Sequence, residues 1–282
     1  MNGSGSATPT RRAFYKEAKV KIIVCIKQVP NTNEVKIDPV KGTLIRDGVP
    51  SIINPDDLSG IEAALQIKDK RKDVHITVIT MGLPQADVAL REALAMGCDD
   101  AYLVSDRAFA GADTWATSAT LAGTIKYLGF DLIITGRQAI DGDTAQVGPQ
   151  IAEHLGIPNI SYAEELEISK ECIIVKRQCE DRYQRVQAKL PALITALTEL
   201  NQPRYMSVGG IIDAYDTKKV KILTYQELKN FIDQENIGLM GSPTRVKKSF
   251  TKAPKGKGVI HHVSEDEAVD IIIEKLKEHY II

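Results

Sequence analysis

The sequence predicts an α/β protein: a doubly wound, mostly parallel sheet with antiparallel additions, and then an extended C-terminal arm ending in a helix. Three observations predict it. Short apolar runs alternate with helix-length amphipathic stretches from residue 19 to about 155, as parallel strands joined by crossover helices do. From 160 to 196 the pattern becomes strand-like alternation broken by short turns, which suits antiparallel strands flanking or extending the sheet. After about residue 200 hydrophobic density falls, and it recovers only near the C-terminal end.

In chain order, residues 1–18 (MNGSGSATPTRRAFYKEA) are small and polar and read as an added leader or a disordered extension; Arg11 and Arg12 ahead of any acid leave a transit peptide as the alternative. KVKIIVCI (19–26) is the first buried strand. Cys25 at its end suits either apolar packing or ligand contact. Turn signals at Asp38-Pro39, Lys41-Gly42 and Asp47-Gly48 predict a small hairpin before a helix over about 56–70. HITVIT (75–80), AYLV (101–104) and DLIIT (131–135) are further buried strands, separated by helices over about 84–97 and 113–129. Between the second strand and its helix, Met81 and Gly82 form a turn that either borders a ligand or simply leads into Pro84.

The run ITGRQAIDGDTAQVGPQIAEHL (134–155) carries the most information. A buried strand runs into a polar glycine-containing loop, and helical spacing returns at Ile151, Ala152 and Leu155 after Pro149. Proline belongs in a helix's first turn, so the main helix is expected to start near Gly148 or Pro149. The amides of Thr144, Ala145, Gln146 and Val147 then point at whatever lies above the strand end, a place suited to phosphate. Asp141 and Asp143 would repel a phosphate directly; ribose hydroxyls, an adenine amino group or backbone capping suit them better, and Arg137 could offer compensating charge. The run matches neither GxxxxGK[ST] nor GxGxxG, and by itself it reads equally as a capped connection without a ligand.

Beyond it, SYAEELEIS, ECIIVKRQ, RYQRVQAKL and PALITAL suggest an antiparallel meander. Residues 238–258 hold glycines, prolines and many lysines, too little for a core. The final segment opens with capping-box spacing at Ser264 and Glu267 and carries an apolar stripe of Val269, Ile272 and Leu276, widened by Ile273 and Tyr280. The expected organisation is the leader (1–18), a nucleotide-binding α/β domain (19–212) and an arm with a partner-docking helix (213–282).

Thirty-six basic and 37 acidic residues nearly cancel, which removes the whole-chain argument for nucleic acid or an anionic membrane surface. Four cysteines without CxxC spacing predict reduced thiols in a cytoplasmic setting and no metal cluster. No apolar run reaches membrane-spanning length, so no membrane insertion is expected. No Ser/His/Asp, paired-carboxylate or metal constellation stands out, and no residue is nominated as a catalytic acid or base.

KIIVCIKQVPNT, INPDD at 53–57, LREALAMGCDDAYLVSD at 90–106, the loop at 134–155 and LPALITALTELNQPRYMSVGGI at 190–211 together resemble the beta subunit of electron-transfer flavoproteins, over about residues 19–282. The resemblance implies a heterodimer whose alpha subunit carries an FAD that exchanges electrons with a flavin-dependent dehydrogenase. In ordinary members the beta subunit holds a structural AMP. In electron-bifurcating members it holds a second FAD, which takes hydride from NADH and sends one electron to the alpha-subunit flavin and one to ferredoxin or flavodoxin. Carried over by position, the nucleotide site falls on Cys25, Asn54, Asp57, Met81 and the loop: Gly136, Arg137, Gln138, Ala139, Ile140 and Asp141 on the strand side, Gly142 at the tip, then Asp143, Thr144, Ala145, Gln146 and Val147. Gly82 would border FAD or NAD(H). Asn54 and Asp57 have a competing role as caps of the helix near Asp56. A dehydrogenase-recognition loop falls on Arg204–Ile211 with Val208 at its anchor. Where the AMP-type pattern has a longer acidic run and a Gln-Thr-Gly, this chain has Asp141-Gly142-Asp143 and Gln146-Val147-Gly148. It looks like the bifurcating group, and FAD is expected over AMP.

Overall fold

The computed structural model describes residues 20–31, 36–37, 44–45, 50–169, 171–247 and 258–282. The chain begins with β1 (Val20–Cys25), β2 (Gln28–Pro30), β3 (Lys36–Ile37), β4 (Leu44–Ile45) and β5 (Ser51–Ile53). Then α1 (Pro55–Lys70), β6 (Val74–Met81), α2 (Asp87–Met96), β7 (Asp100–Val104), α3 (Thr114–Leu128), β8 (Leu132–Gly136) and α4 (Val147–Leu155) alternate as expected. β9 (Asn159–Ile168), β10 (Cys172–Gln178), β11 (Tyr183–Lys189) and β12 (Ala192–Ala196) follow, then α5 (Val208–Asp216), β13 (Val220–Leu223), α6 (Tyr225–Leu228) and α7 (Glu265–Glu278).

Nine strands form one sheet in the order β11-β10-β9-β12-β8-β1-β6-β7-β13. β1 is parallel to both β6 and β8, so the chain winds one way from β1 through β6 to β7 and the other way from β8 outward. The order therefore reverses between β1 and β8. In open α/β sheets the crevice above the carboxyl ends at such a reversal is where ligands bind. Alternate residues of β1 serve two cores. Ile22 and Val24 pack with α1 and α2, whereas Ile23 and Cys25 pack with α3 and α4.

Two expectations need correction. β12 does not belong to an antiparallel meander: it lies between β8 and β9 and is parallel to both. All five of its residues are buried, which is what ALITA, apolar at both face parities, requires of a strand covered on two sides. Within the nine-stranded sheet only β9, β10 and β11 pair antiparallel. Second, the folded unit does not stop at 212. β13 adds to the sheet beside β7, and Leu228, Ile232 and Ile237 close a third core with Val104 and Phe109. A Cβ on Gly123 of α3 would run into the Ile232 side chain and the Phe231 carbonyl. A few buried side chains suffice here because they cover an existing sheet edge rather than build a core of their own.

β3 and β4 pair antiparallel, Lys36 opposite Ile45. The hairpin's turn residues, the leader and most of the lysine run 247–257 lie outside the described residues. α7 has the expected capping box, Ser264 with Glu267, and none of its residues is buried. No helix among the described residues is long and apolar enough to cross a membrane.

Candidate functional site

The first turn of α1 holds the ends of three strands. Asn54 precedes Pro55 but caps nothing with its side chain. Its Nδ2 instead donates to the Gln138 carbonyl at 2.9 Å, and its Oδ1 accepts from the Ile140 amide at 3.1 Å. Asp57 accepts from the Lys27 amide beyond β1 at 2.7 Å and from the Gly136 amide of β8 at 2.9 Å. Asp56 accepts from the Thr198 amide beyond β12 at 3.1 Å and pairs with Arg137 Nε at 3.4 Å. Asn54 is 1% and Asp57 6% exposed. Their polar atoms are spent on backbone, so these residues fix the loop from beneath; the competing role as helix caps is not the one they play.

Burial pushes the Asp57 carboxyl up to about 7, against the opposing pull of hydrogen bonds from Lys27, Asn54 and Gly136. Burial also raises Asp56, opposed by Arg137. The Cys25 thiol is raised far above its ordinary range, by burial first and the Asp57 charge second. Cys25 is a core residue at the floor of the site, in register with Ile79 and Thr135.

The loop turns on Ala139, whose carbonyl accepts from the Gly142 amide at 3.2 Å and the Asp143 amide at 2.9 Å. Asp143 (φ 48°) and Ala145 (φ 51°) are left-handed. For alanine this conformation costs about 1 kcal/mol or more. Gln146 returns to the right-handed region at φ −101°, ψ −35°. A left-handed residue followed by a right-handed one turns successive N–H groups into one concavity, an arrangement that binds anions. The amides of Thr144, Ala145, Gln146 and Val147 have no acceptor among the described residues, and α4 begins directly beneath them at Val147, one or two residues earlier than expected. Thr114 Oγ1 donates to Gln146 Oε1 at 2.9 Å and ties the cradle to the start of α3.

The glycines divide by role. A Cβ on Gly136 would strike the Asp57 carboxylate, and one on Gly148 would sit 2.6 Å from Thr135 Oγ1, so both are needed for packing. A Cβ on Gly142 would meet nothing within 4 Å. Its glycine is not required by the protein interior. Arg137 is engaged by Asp56, whereas Lys27 Nζ lies 2.6 Å from Asp141 Oδ1 at the loop's edge. Gln138 Nε2 donates to Asp143 Oδ1 at 3.0 Å. Met81 ends β6, on the side of β1 away from β8, and Gly82 follows it with its N–H bonded to the Val104 carbonyl and Leu83 exposed beside it.

A second feature lies on α5. Arg204 is clamped by Glu62, at 2.8 Å from Nε and 3.0 Å from Nη2, and by Asp69 at 2.7 Å. Burial would raise Glu62, but the Arg204 bonds outweigh it and hold its carboxyl below the ordinary range. Beyond this clamp Ser207 caps α5 through the Gly210 amide. Val208 is 77% exposed, and Ile211, Ile212 and Tyr215 continue an outward apolar stripe at helical spacing. Gly210 lets α5 lie against the Ala95 carbonyl of α2. The clamp and the close helix crossing escape a reading of the sequence, because neither partner is near in sequence.

Buried carboxylates beneath the strand-order reversal and unbonded loop amides at the start of α4 place this chain in the doubly wound α/β class, in which such reversals are where ligands bind. Comparison narrows the class. Residues 41–227 match the electron transfer flavoprotein domain. The chain is 56% identical over 263 residues to the electron transfer flavoprotein subunit beta of Clostridium acetobutylicum, covering 93% of this chain and 100% of that one. It is 54% identical over 265 residues to the caffeyl-CoA reductase-Etf complex subunit CarD of Acetobacterium woodii, with 93% and 100% covered. Protein FixA of Azotobacter vinelandii is 44% identical over 243 residues, with 83% and 85% covered. The chain belongs to the electron transfer flavoprotein family, alongside its beta subunits.

Proposed function

We propose that this subunit binds FAD in the crevice above β1 and β8, takes hydride from NADH, and divides the electrons between two routes. One leads to the FAD of an alpha subunit and on to a flavin-dependent dehydrogenase, the other to ferredoxin or flavodoxin in the cytoplasm. The observation that carries this reading is the cradle: four free amides over the start of α4, beside a glycine whose missing side chain nothing in the protein requires. That combination fits a diphosphate with a group attached beyond it, since the open tip at Gly142 offers room and lacks the acid that would repel it. The amides of Thr144 to Val147 would hold the pyrophosphate, and Asp143 would meet ribose or adenine donors. Met81 and Gly82 would border the flavin or the nicotinamide. Bound flavin supplies the redox chemistry; the residues here bind, orient and exclude water.

The names of the relatives support the assembly. One is named as a subunit of a caffeyl-CoA reductase-Etf complex and another, from Anaerotignum propionicum, as an acryloyl-CoA reductase electron transfer subunit. Val208 and the stripe along α5 would dock the dehydrogenase, and α7 the alpha subunit. Counting released nucleotides from the purified heterodimer tests the reading: two FAD per pair are expected, and one FAD with one AMP would overturn it.

A further inference from the structure

The nucleotide reading leaves a charge problem. An incoming diphosphate meets two loop acids, Asp141 and Asp143, and the loop's own cation, Arg137, is bound to Asp56 with its Nε buried. Lys27 solves it. Its backbone is fixed on both sides, the N–H donating to Asp57 Oδ2 at 2.7 Å and the carbonyl accepting from the Asn54 amide at 2.9 Å. Its side chain stays half-exposed and reaches from the carboxyl end of β1 to the loop, where Nζ rests on Asp141 Oδ1 at 2.6 Å. The Asp141 side chain is 10% exposed and fixed at the loop, whereas the lysine's flexible four-carbon stem and half-exposed ammonium let the cation change partners.

We propose that Lys27 is the residue that neutralises the bound nucleotide's diphosphate, exchanging Asp141 for a phosphate oxygen when the ligand enters. Asp141 is then the resting partner that keeps the ammonium at the crevice and competes with the ligand for it. The proposal rests on the reading of the loop as a nucleotide site. It differs from a purely structural pair in the sign of one effect. If the ion pair only pinned the loop, removing either partner would loosen the cradle and weaken binding alike. If Lys27 serves the ligand, removing the lysine weakens binding, whereas removing the aspartate strengthens it.

The test uses the heterodimer with its alpha-subunit flavin retained and the nucleotide of this subunit removed, titrated with ADP by calorimetry at low and moderate salt. Lys27→Met should weaken ADP about tenfold and flatten the salt dependence, because a screened charge contact has been lost. Lys27→Arg should restore most of the affinity. Asp141→Asn should tighten ADP severalfold, with thermal unfolding confirming that each variant is folded. Equal weakening by Lys27→Met and Asp141→Asn, or no effect of Lys27→Met, overturns the proposal while leaving the nucleotide site standing. Failure of the unaltered heterodimer to bind ADP overturns both.

Discussion

Gly142→Asp places one carboxylate at the loop tip, and the structure allows its effect to be isolated. No atom lies within 4 Å of the new Cβ, and the backbone there is not left-handed, so the substitution fits without repacking. Folding and melting temperature should be unchanged. What changes is charge: a carboxylate brought to about 6 Å from another anion costs roughly 1–3 kcal/mol at the effective dielectric of a protein surface. FAD on this subunit should weaken by about 10- to 100-fold, and Gly142→Asn, of equal size without the charge, by much less. The assay is flavin retention and rebinding in the heterodimer, with the alpha-subunit flavin as internal reference. Equal losses in the Asp and Asn variants would refute the electrostatic argument. Equal loss of both flavins, or no loss at all, would refute the placement of the site.

Asp57 carries a carboxyl raised to about 7, so its contribution to stability is full below about pH 3.9 and is lost as pH rises through 7; the unfolding free energy of the unaltered protein relative to Asp57→Asn should fall by on the order of 4 kcal/mol across that window. A difference that stays flat in denaturant titrations from pH 4 to 8 would contradict the burial of a titrating group there. Gly136→Ala, whose methyl would strike the Asp57 carboxylate, should destabilise the fold by about 1–3 kcal/mol in thermal unfolding, whereas Gly142→Ala should be neutral. Val208→Asp should raise the KM for the dehydrogenase partner about tenfold with flavin content unchanged, since the side chain is 77% exposed on α5, a helix that packs against α2; loss of flavin in that variant would place Val208 elsewhere in the function.

Much of this architecture is legible in the residues. Continuous apolar runs bounded by helical stretches give β1, β6, β7 and β8, and the run at 134–155 is legible as a strand end, loop and helix start because loop polarity, Pro149 and helical spacing agree locally. β12 was misplaced because a short apolar run after three alternating strands invites continuation of the hairpins, while its parallel partners lie across the sheet. Asn54 and Asp57 are residue types that favour helix caps, and the same short polar side chains grip distant backbone equally well. Their partners stand 30 to 86 residues away, a relation that no local pattern contains. Lys27 carries no local signal either, being one lysine after a strand until the fold brings Asp141 beside it.

On the proposed reading, the loop above β1 and β8 holds a flavin that NADH reduces. Anaerobic titration of the purified heterodimer with NADH, followed by flavin absorbance, tests it most directly. Bleaching of the flavin on this subunit is expected, with selective loss of that bleaching in Gly142→Asp. A heterodimer whose flavin spectrum does not respond to NADH would contradict it.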